Sequence, residues 1–183
     1  DEEVSMVPVS PTDTVLTLTL ATMGLPLLSF FVVFFLTRPK VGLSCAVSLF
    51  CAAAPCLFSW YLLFALWGIQ KPLLYQMTWM AAGDVSITFG FLLDPLSTLM
   101  LCIVATVRFL IQVYSLGYMA GDDGMAKYYS FLSLFAWSMI SMVVASGLMQ
   151  LYVFWELVGL SSYLLIGFWH HKFSASQAGK KAF

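Results

Sequence analysis

The sequence predicts an all-α polytopic membrane protein, and three observations carry that prediction. Hydrophobic residues fill 61% of the 183 positions and charged residues only 9%, where a soluble domain carries about a quarter charged. Mean hydropathy is +0.93. The charges are also spaced so that uncharged runs exceed the roughly 20 residues needed to cross a bilayer core. A water-soluble globule of this length could not hide that much apolar surface. Eight Lys+Arg against nine Asp+Glu leave a net charge of −1, which excludes the basic field that nucleic acid requires.

Five transmembrane helices are expected, at about 14–37, 41–70, 95–119, 128–145 and 148–169, with a small β-hairpin on the outer side. The first two are separated by Arg38-Pro39-Lys40, a break short enough to make them antiparallel neighbours, and Pro55 should kink the second. Between Lys71 and Asp94 the period changes. Tyr75 to Trp79 and the alternating Val85, Ile87, Phe89 and Phe91 flank Gly83-Asp84, a hairpin pattern with its turn at that pair. Asp94 before Pro95 suits a helix N-cap. Gly121-Asp122-Asp123-Gly124 ends the third span as a solvated turn. The 44 residues from Tyr128 to His171 carry one charge and are too long for a single helix, so Ser146-Gly147 is expected to divide them. Residues 1–13, acidic and holding Pro8 and Pro11, form an exposed polar leader without the basic and apolar regions of a signal peptide.

Five spans place Arg38, Lys40, Lys127, Lys172, Lys180 and Lys181 on one side, six of the eight basic residues. That side is then the cytoplasm or matrix, with the N-terminus outside. Cys45, Cys51, Cys56 and Cys102 show no CxxC spacing and fit small buried hydrophobes better than ligands or disulfides. No zinc motif, phosphate loop, nucleophile elbow or dinucleotide fingerprint occurs.

Two charges lie inside predicted spans, Arg108 and Glu156. A charge at membrane depth costs several kcal/mol unless paired or watered, which makes each a functional candidate. On a wheel of 100° per residue, Met149, Tyr152, Gly159, Leu160, Tyr163, Gly167 and His170 fall within about 60° of Glu156. The opposite face, with Phe154, Val158, Ser161, Leu165 and Phe168, is nearly all apolar. The Glu156 face should therefore turn toward protein or a hydrated interior. Two readings are open: a carboxylate that carries protons, or a static buried group that only fixes helix packing. Arg108 shares its face with Ser97, Leu101, Val104, Gln112 and Ser115 and lies within about two helical turns of the depth of Glu156, so a Glu156–Arg108 pair is one expectation. Arg108, Gln112, Tyr152, Tyr163 and His170 are the candidate relay or electrostatic partners. Adjacent His170 and His171 point about 100° apart and are poorly placed to share a metal.

The segment Leu151-Tyr-Val-Phe-Trp-Glu-Leu-Val-Gly-Leu-Ser-Ser-Tyr-Leu-Leu-Ile-Gly-Phe-Trp169 resembles the fifth helix of the largest antiporter-like membrane subunit of respiratory complex I. That family is subunit L of NADH-quinone oxidoreductase, chain 5 in mitochondria. Asp94-Pro-Leu-Ser97, Tyr114-Ser-Leu-Gly-Tyr-Met119 and Lys181-Ala-Phe183 resemble the start and end of its third helix and the start of its sixth. The resemblance implies an N-terminal portion of a proton-pumping membrane-arm subunit, with Glu156 as the proton-channel glutamate that pairs with a lysine on a seventh helix. It implies no cofactor in this chain, since NAD, FMN, iron–sulfur clusters and quinone belong to other subunits, and it leaves open whether the chain alone is an enzyme. Implied partners are other membrane-arm subunits, a chain supplying the later helices, and lipid, in a mitochondrial inner membrane or bacterial plasma membrane. Gln112 stands where many members have histidine and Arg108 where they have a small residue. Two alternatives are part of a multi-subunit monovalent cation/proton antiporter and a non-pumping structural fragment.

Overall fold

The computed structural model describes residues 7–8, 14–37, 39–68, 72–82, 85–170 and 172–182. In chain order the elements are β1 (Val7–Pro8), α1 (Thr14–Phe31) running into a π-helical turn (Val32–Thr37), α2 (Val41–Ala65), β2 (Leu73–Ala82), β3 (Val85–Leu93), α3 (Pro95–Tyr118), α4 (Met125–Val143), α5 (Leu148–Ile166) and α6 (Phe173–Ala182). The expected turn pair Gly83-Asp84 and His171 lie outside the described residues, as does the polar leader apart from Val7–Pro8. Those two residues pair in parallel with Leu73 and Leu74, adding a strand to the hairpin.

Four described segments are long and apolar enough to cross a membrane: Thr14–Thr37, Val41–Ala65, Pro95–Tyr118 and Leu148–Ile166. Helix α4 is not among them, although the sequence predicts five. It carries Lys127 and the serines Ser130, Ser133, Ser138 and Ser141, all four fully buried. A helix wrapped by other helices needs no lipid-compatible surface, so its hydropathy falls while its length of 19 residues is kept. The structure packs α4 against α1, α2, α3 and α5, at the centre of the bundle.

Several boundaries move from their expected places. The second helix ends at Ala65 rather than 70, where Leu66–Gly68 turn. The fourth helix starts at Met125, so Lys127 sits in its first turn, and it stops at Val143 instead of 145. The fifth stops at Ile166 rather than 169, where the Phe168 N–H turns to Leu165 O at 3.3 Å and the four-residue hydrogen-bond pattern gives way to a three-residue one. The tail after Lys172 is helical, so the sixth helix begins at Phe173. Asp94 caps α3 as its sequence suggests. The Ser97 N–H donates to Asp94 Oδ1 at 2.6 Å and the Asp94 N–H to Ser97 Oγ at 2.9 Å, a capping box.

Two cores result. One, near the sheet, joins Leu16, Leu62, Leu66, Phe91, Leu93, Leu101, Ile140 and Val144. The other, at the opposite end of the bundle, joins Val33, Cys45, Met119, Met125 and Tyr129.

Candidate functional site: the α5 carboxylate and the polar bundle interior

Glu156 is the ninth residue of α5, about 12 Å along a helix about 28 Å long. The structure places it at mid-span. The side of α5 that packs inward is Gln150, Phe154 and Ser161, which lie about 120–160° around the wheel from Glu156. Phe154 seats between Phe89 of β3 and Trp137 of α4, with ring centroids 5.8 and 5.3 Å away. Ser161 Oγ lies 3.4 Å from Ser138 Oγ on α4. Because that stripe takes the contacts, the Glu156 face is left on the outside of this chain. Glu156 is exposed, Tyr152 is 59% exposed and Tyr163 39%. The expectation of an inward-turned carboxylate is thus corrected for this chain taken alone. Leu148, Met149, Leu151, Tyr152, Trp155 and Glu156 line an open groove along that face. Beyond the groove, helix α6 packs on the C-terminal end of α5, where Gly179 passes close to Gly167 and Tyr163. His170 follows at the end of the stripe and is exposed.

Arg108 is not brought to Glu156. It is 4% exposed inside the bundle and donates from Nη1 to Cys51 O at 3.3 Å. Helix α3 packs on α2 and α4, while α5 packs on α4, α6 and β3, so α4 stands between the two charges. The expected Glu156–Arg108 pair does not form among the described residues. Nε and Nη2 of Arg108 have no protein acceptor there. The guanidinium borders a cavity of about 190 Å³ between α3 and α4, otherwise lined by apolar residues such as Ile111, Leu132 and Phe135.

Gln112, one turn from Arg108, is fully buried and reaches a cluster that the sequence reading missed. Its Nε2 donates to Ser48 Oγ. Ser29, Ser48 and Ser133, from α1, α2 and α4, hold their hydroxyls 3.0–3.4 Å apart. Tyr129 Oη donates to Gln112 O at 3.0 Å. Here hydroxyls hold four helices together where hydrophobic driving force is absent. The available signal was serine at helical spacing, Ser44 and Ser48 on α2 and Ser130 and Ser133 on α4, which places small polar groups on one face.

Two stretches of the chain match known family models. Residues 79–129 match the family described as NADH-Ubiquinone oxidoreductase (complex I), chain 5 N-terminus, and residues 145–183 match NADH:quinone oxidoreductase/Mrp antiporter, TM. The chain is similar to chain 5 of complex I. The chloroplastic NAD(P)H-quinone oxidoreductase subunit 5 of Anthoceros angustus is 47% identical over 109 residues, 60% of this chain and 15% of that protein. NAD(P)H-quinone oxidoreductase chain 5 of Picosynechococcus sp. is 49% identical over 109 residues, 60% of this chain and 16% of its own length. This chain therefore spans about one sixth of the chain 5 proteins it matches.

Solved structures agree on the fold. A chain of the membrane-bound sulfane sulfur reductase, an archaeal respiratory membrane complex, superposes over 90% of this chain and 33% of its own, with a TM-score of 0.76 and 19% identity. A chain of the Mrp complex from Dietzia sp. superposes over 84% of this chain and 16% of its own, with a TM-score of 0.63 and 27% identity. The second matched stretch, residues 145–183, contains all of α5 and with it Glu156.

Proposed function

We propose that this chain is the N-terminal part of a proton-translocating membrane-arm subunit of an NADH:quinone oxidoreductase, with Glu156 as its protonatable group. One observation carries the reading. A carboxylate near the middle of a helix long and apolar enough to cross a membrane stands on a stripe with Tyr152, Gly159 and Tyr163, and that stripe is open on this chain's surface. Facing lipid, such a carboxylate would cost several kcal/mol. A further helix from the assembly covers it, and likeness to chain 5 supports this, because this chain spans only about one sixth of the length of those proteins.

In that setting the chain's own residues have distinct work. Helix α5 holds Glu156 near mid-depth, about 12 Å from one end of the helix and about 15 Å from the other. A cation brought by the covering helix stabilises the carboxylate, and its withdrawal favours proton uptake. Tyr152, one turn away, and Tyr163, two turns away, offer hydroxyls able to pass or accept a hydrogen bond along the same stripe. His170 extends the stripe toward the basic end of the chain. Arg108 and Gln112 stand apart from this path and belong to the bundle interior. Flavin, iron–sulfur and quinone chemistry is assigned to other subunits.

The same reading makes α4 a fifth span, held in the membrane by the helices around it. It sets the sheet and N-terminus on the outer side and the Lys-rich ends on the inner side, by the positive-inside rule. It places the protein in a multi-pass, energy-transducing membrane. Replacing Glu156 by Gln in the intact assembly tests the central claim: proton pumping is expected to be lost while the assembly persists. Unchanged pumping would overturn it. A second reading, a subunit of a cation/proton antiporter, is favoured by the Mrp likeness. Co-purification with flavin and iron–sulfur subunits supports the oxidoreductase, and their consistent absence from an active assembly supports the antiporter.

A further inference from the structure

Helix α5 starts against the outer sheet, and the contact is specific. Gln150, 1% exposed, uses both ends of its amide on one residue of β3. Its Nε2 donates to Gly90 O at 2.8 Å, and its Oε1 accepts from the Gly90 N–H at 2.9 Å. The side chain thus copies the pairing of a neighbouring strand, completing both backbone groups of Gly90 as a β-ladder would. Only glycine fits there, because a Cβ at position 90 would stand 1.9 Å from Tyr75 O. The segment leading into α5 is held to the same strand, with the Leu92 N–H donating to Val144 O at 2.9 Å.

We infer that Gln150 is a positioning residue, a latch that fixes the rotation and depth of α5 and thereby where Glu156 stands. A helix rotates and slides as a unit, and residues 150 and 156 are separated by about 9 Å along its axis and about 120° around it. A two-bond grip on one face therefore fixes the heading of the other. A single hydrogen bond would leave rotation free, whereas a bidentate one sets direction as well as distance. The remaining inward contacts of α5, Phe154 among aromatic rings and a hydroxyl pair at Ser161, tolerate sliding that the amide does not. The outer sheet acquires a role through this latch: it is the reference against which the membrane carboxylate is placed.

The inference rests on Glu156 being the proton-carrying group, and its test separates the two claims. The pH profile of proton pumping is measured in the intact assembly for the unaltered chain, Gln150→Leu, Gln150→Glu and Glu156→Gln. Gln150→Leu removes both bonds. Gln150→Glu keeps the shape and the bond from the Gly90 N–H, and serves as the deciding variant if Gln150→Leu does not assemble. The expected result is electron transfer with a displaced pumping profile, and pumping reduced about tenfold in Gln150→Leu, since small misplacements of a reacting group cost up to about a hundredfold. Gln150→Glu falls between. A profile for Gln150→Glu that superposes on the unaltered one overturns the latch, because a role in packing alone would leave the profile in place. Unaltered pumping by Glu156→Gln instead overturns the Glu156 reading, whatever Gln150 does.

Discussion

At the scale of single residues, Arg108 and Ser133 carry opposite expectations. Arg108 is enclosed among α2, α3 and α4 with one bond to a carbonyl and no carboxylate among the described residues beside it. Removing an unanswered charge from an apolar interior relieves its desolvation. Arg108→Met should therefore leave thermal stability unchanged or raised, read by intrinsic fluorescence in detergent or nanodiscs. A drop of more than about 2 kcal/mol would overturn this, showing that the packing of the side chain and its bond to Cys51 O outweigh the cost of burying the charge. Ser133 touches the hydroxyls of both Ser29 and Ser48. Ser133→Ala should cost about 1 kcal/mol in the same assay. Ser130→Ala should be silent, because its hydroxyl only returns to Lys127 O on its own helix. Glu156 itself was legible in the sequence as the one carboxylate inside an apolar run. The serine cluster was not, since single hydroxyls carry little hydropathy and become a network only when three helices meet.

Among the elements, the hairpin and the α3 cap were the most legible. The alternation around residues 83–84 predicted two strands, and Tyr75↔Phe91 and Met77↔Phe89 are paired as that pattern requires. The Asp94-Pro95 pair predicted an N-terminus, and the capping box is there. Asp94→Ala should lower thermal stability by about 1 kcal/mol, the usual worth of a cap. The ends of α2, α4 and α5 were less legible because apolar residues continue past them. Trp67 is 74% exposed beyond the last turn of α2 and as apolar as the helix before it. Hydropathy there reports the surroundings rather than backbone conformation. Gly90→Ala probes the sheet directly. With Tyr75 O in the way, it should loosen β2–β3 pairing and raise protease sensitivity in the hairpin.

For the whole molecule, the central fact is that α4 is enclosed while one face of α5 is open. The wheel separated the Glu156 stripe from the Phe154–Ser161 stripe on α5, and the structure packs one and exposes the other. What it could not tell is which stripe this chain would use for its own packing. The side carrying Gln150, Phe154 and Ser161 is used, by α4 and β3, and the Glu156 stripe is left exposed on this chain. A cysteine at Tyr152 should accordingly react with a polar maleimide in the detergent-solubilised chain alone and be protected in the complete assembly. Equal labelling in both would show that nothing covers this face.

Composition, the spacing of charges and local turn chemistry by themselves determined a helical membrane chain, its hairpin and the one carboxylate inside a long apolar helical run. Those depend on transfer from water and on short-range backbone preferences, which are properties of residues in order. The direction in which Glu156 points, the partner of Arg108, the hydroxyl cluster and the grip of Gln150 on Gly90 were decided only by the tertiary structure. Each depends on residues 19 to 104 positions apart meeting at hydrogen-bond distance, and contact between distant segments leaves no periodic trace in the chain.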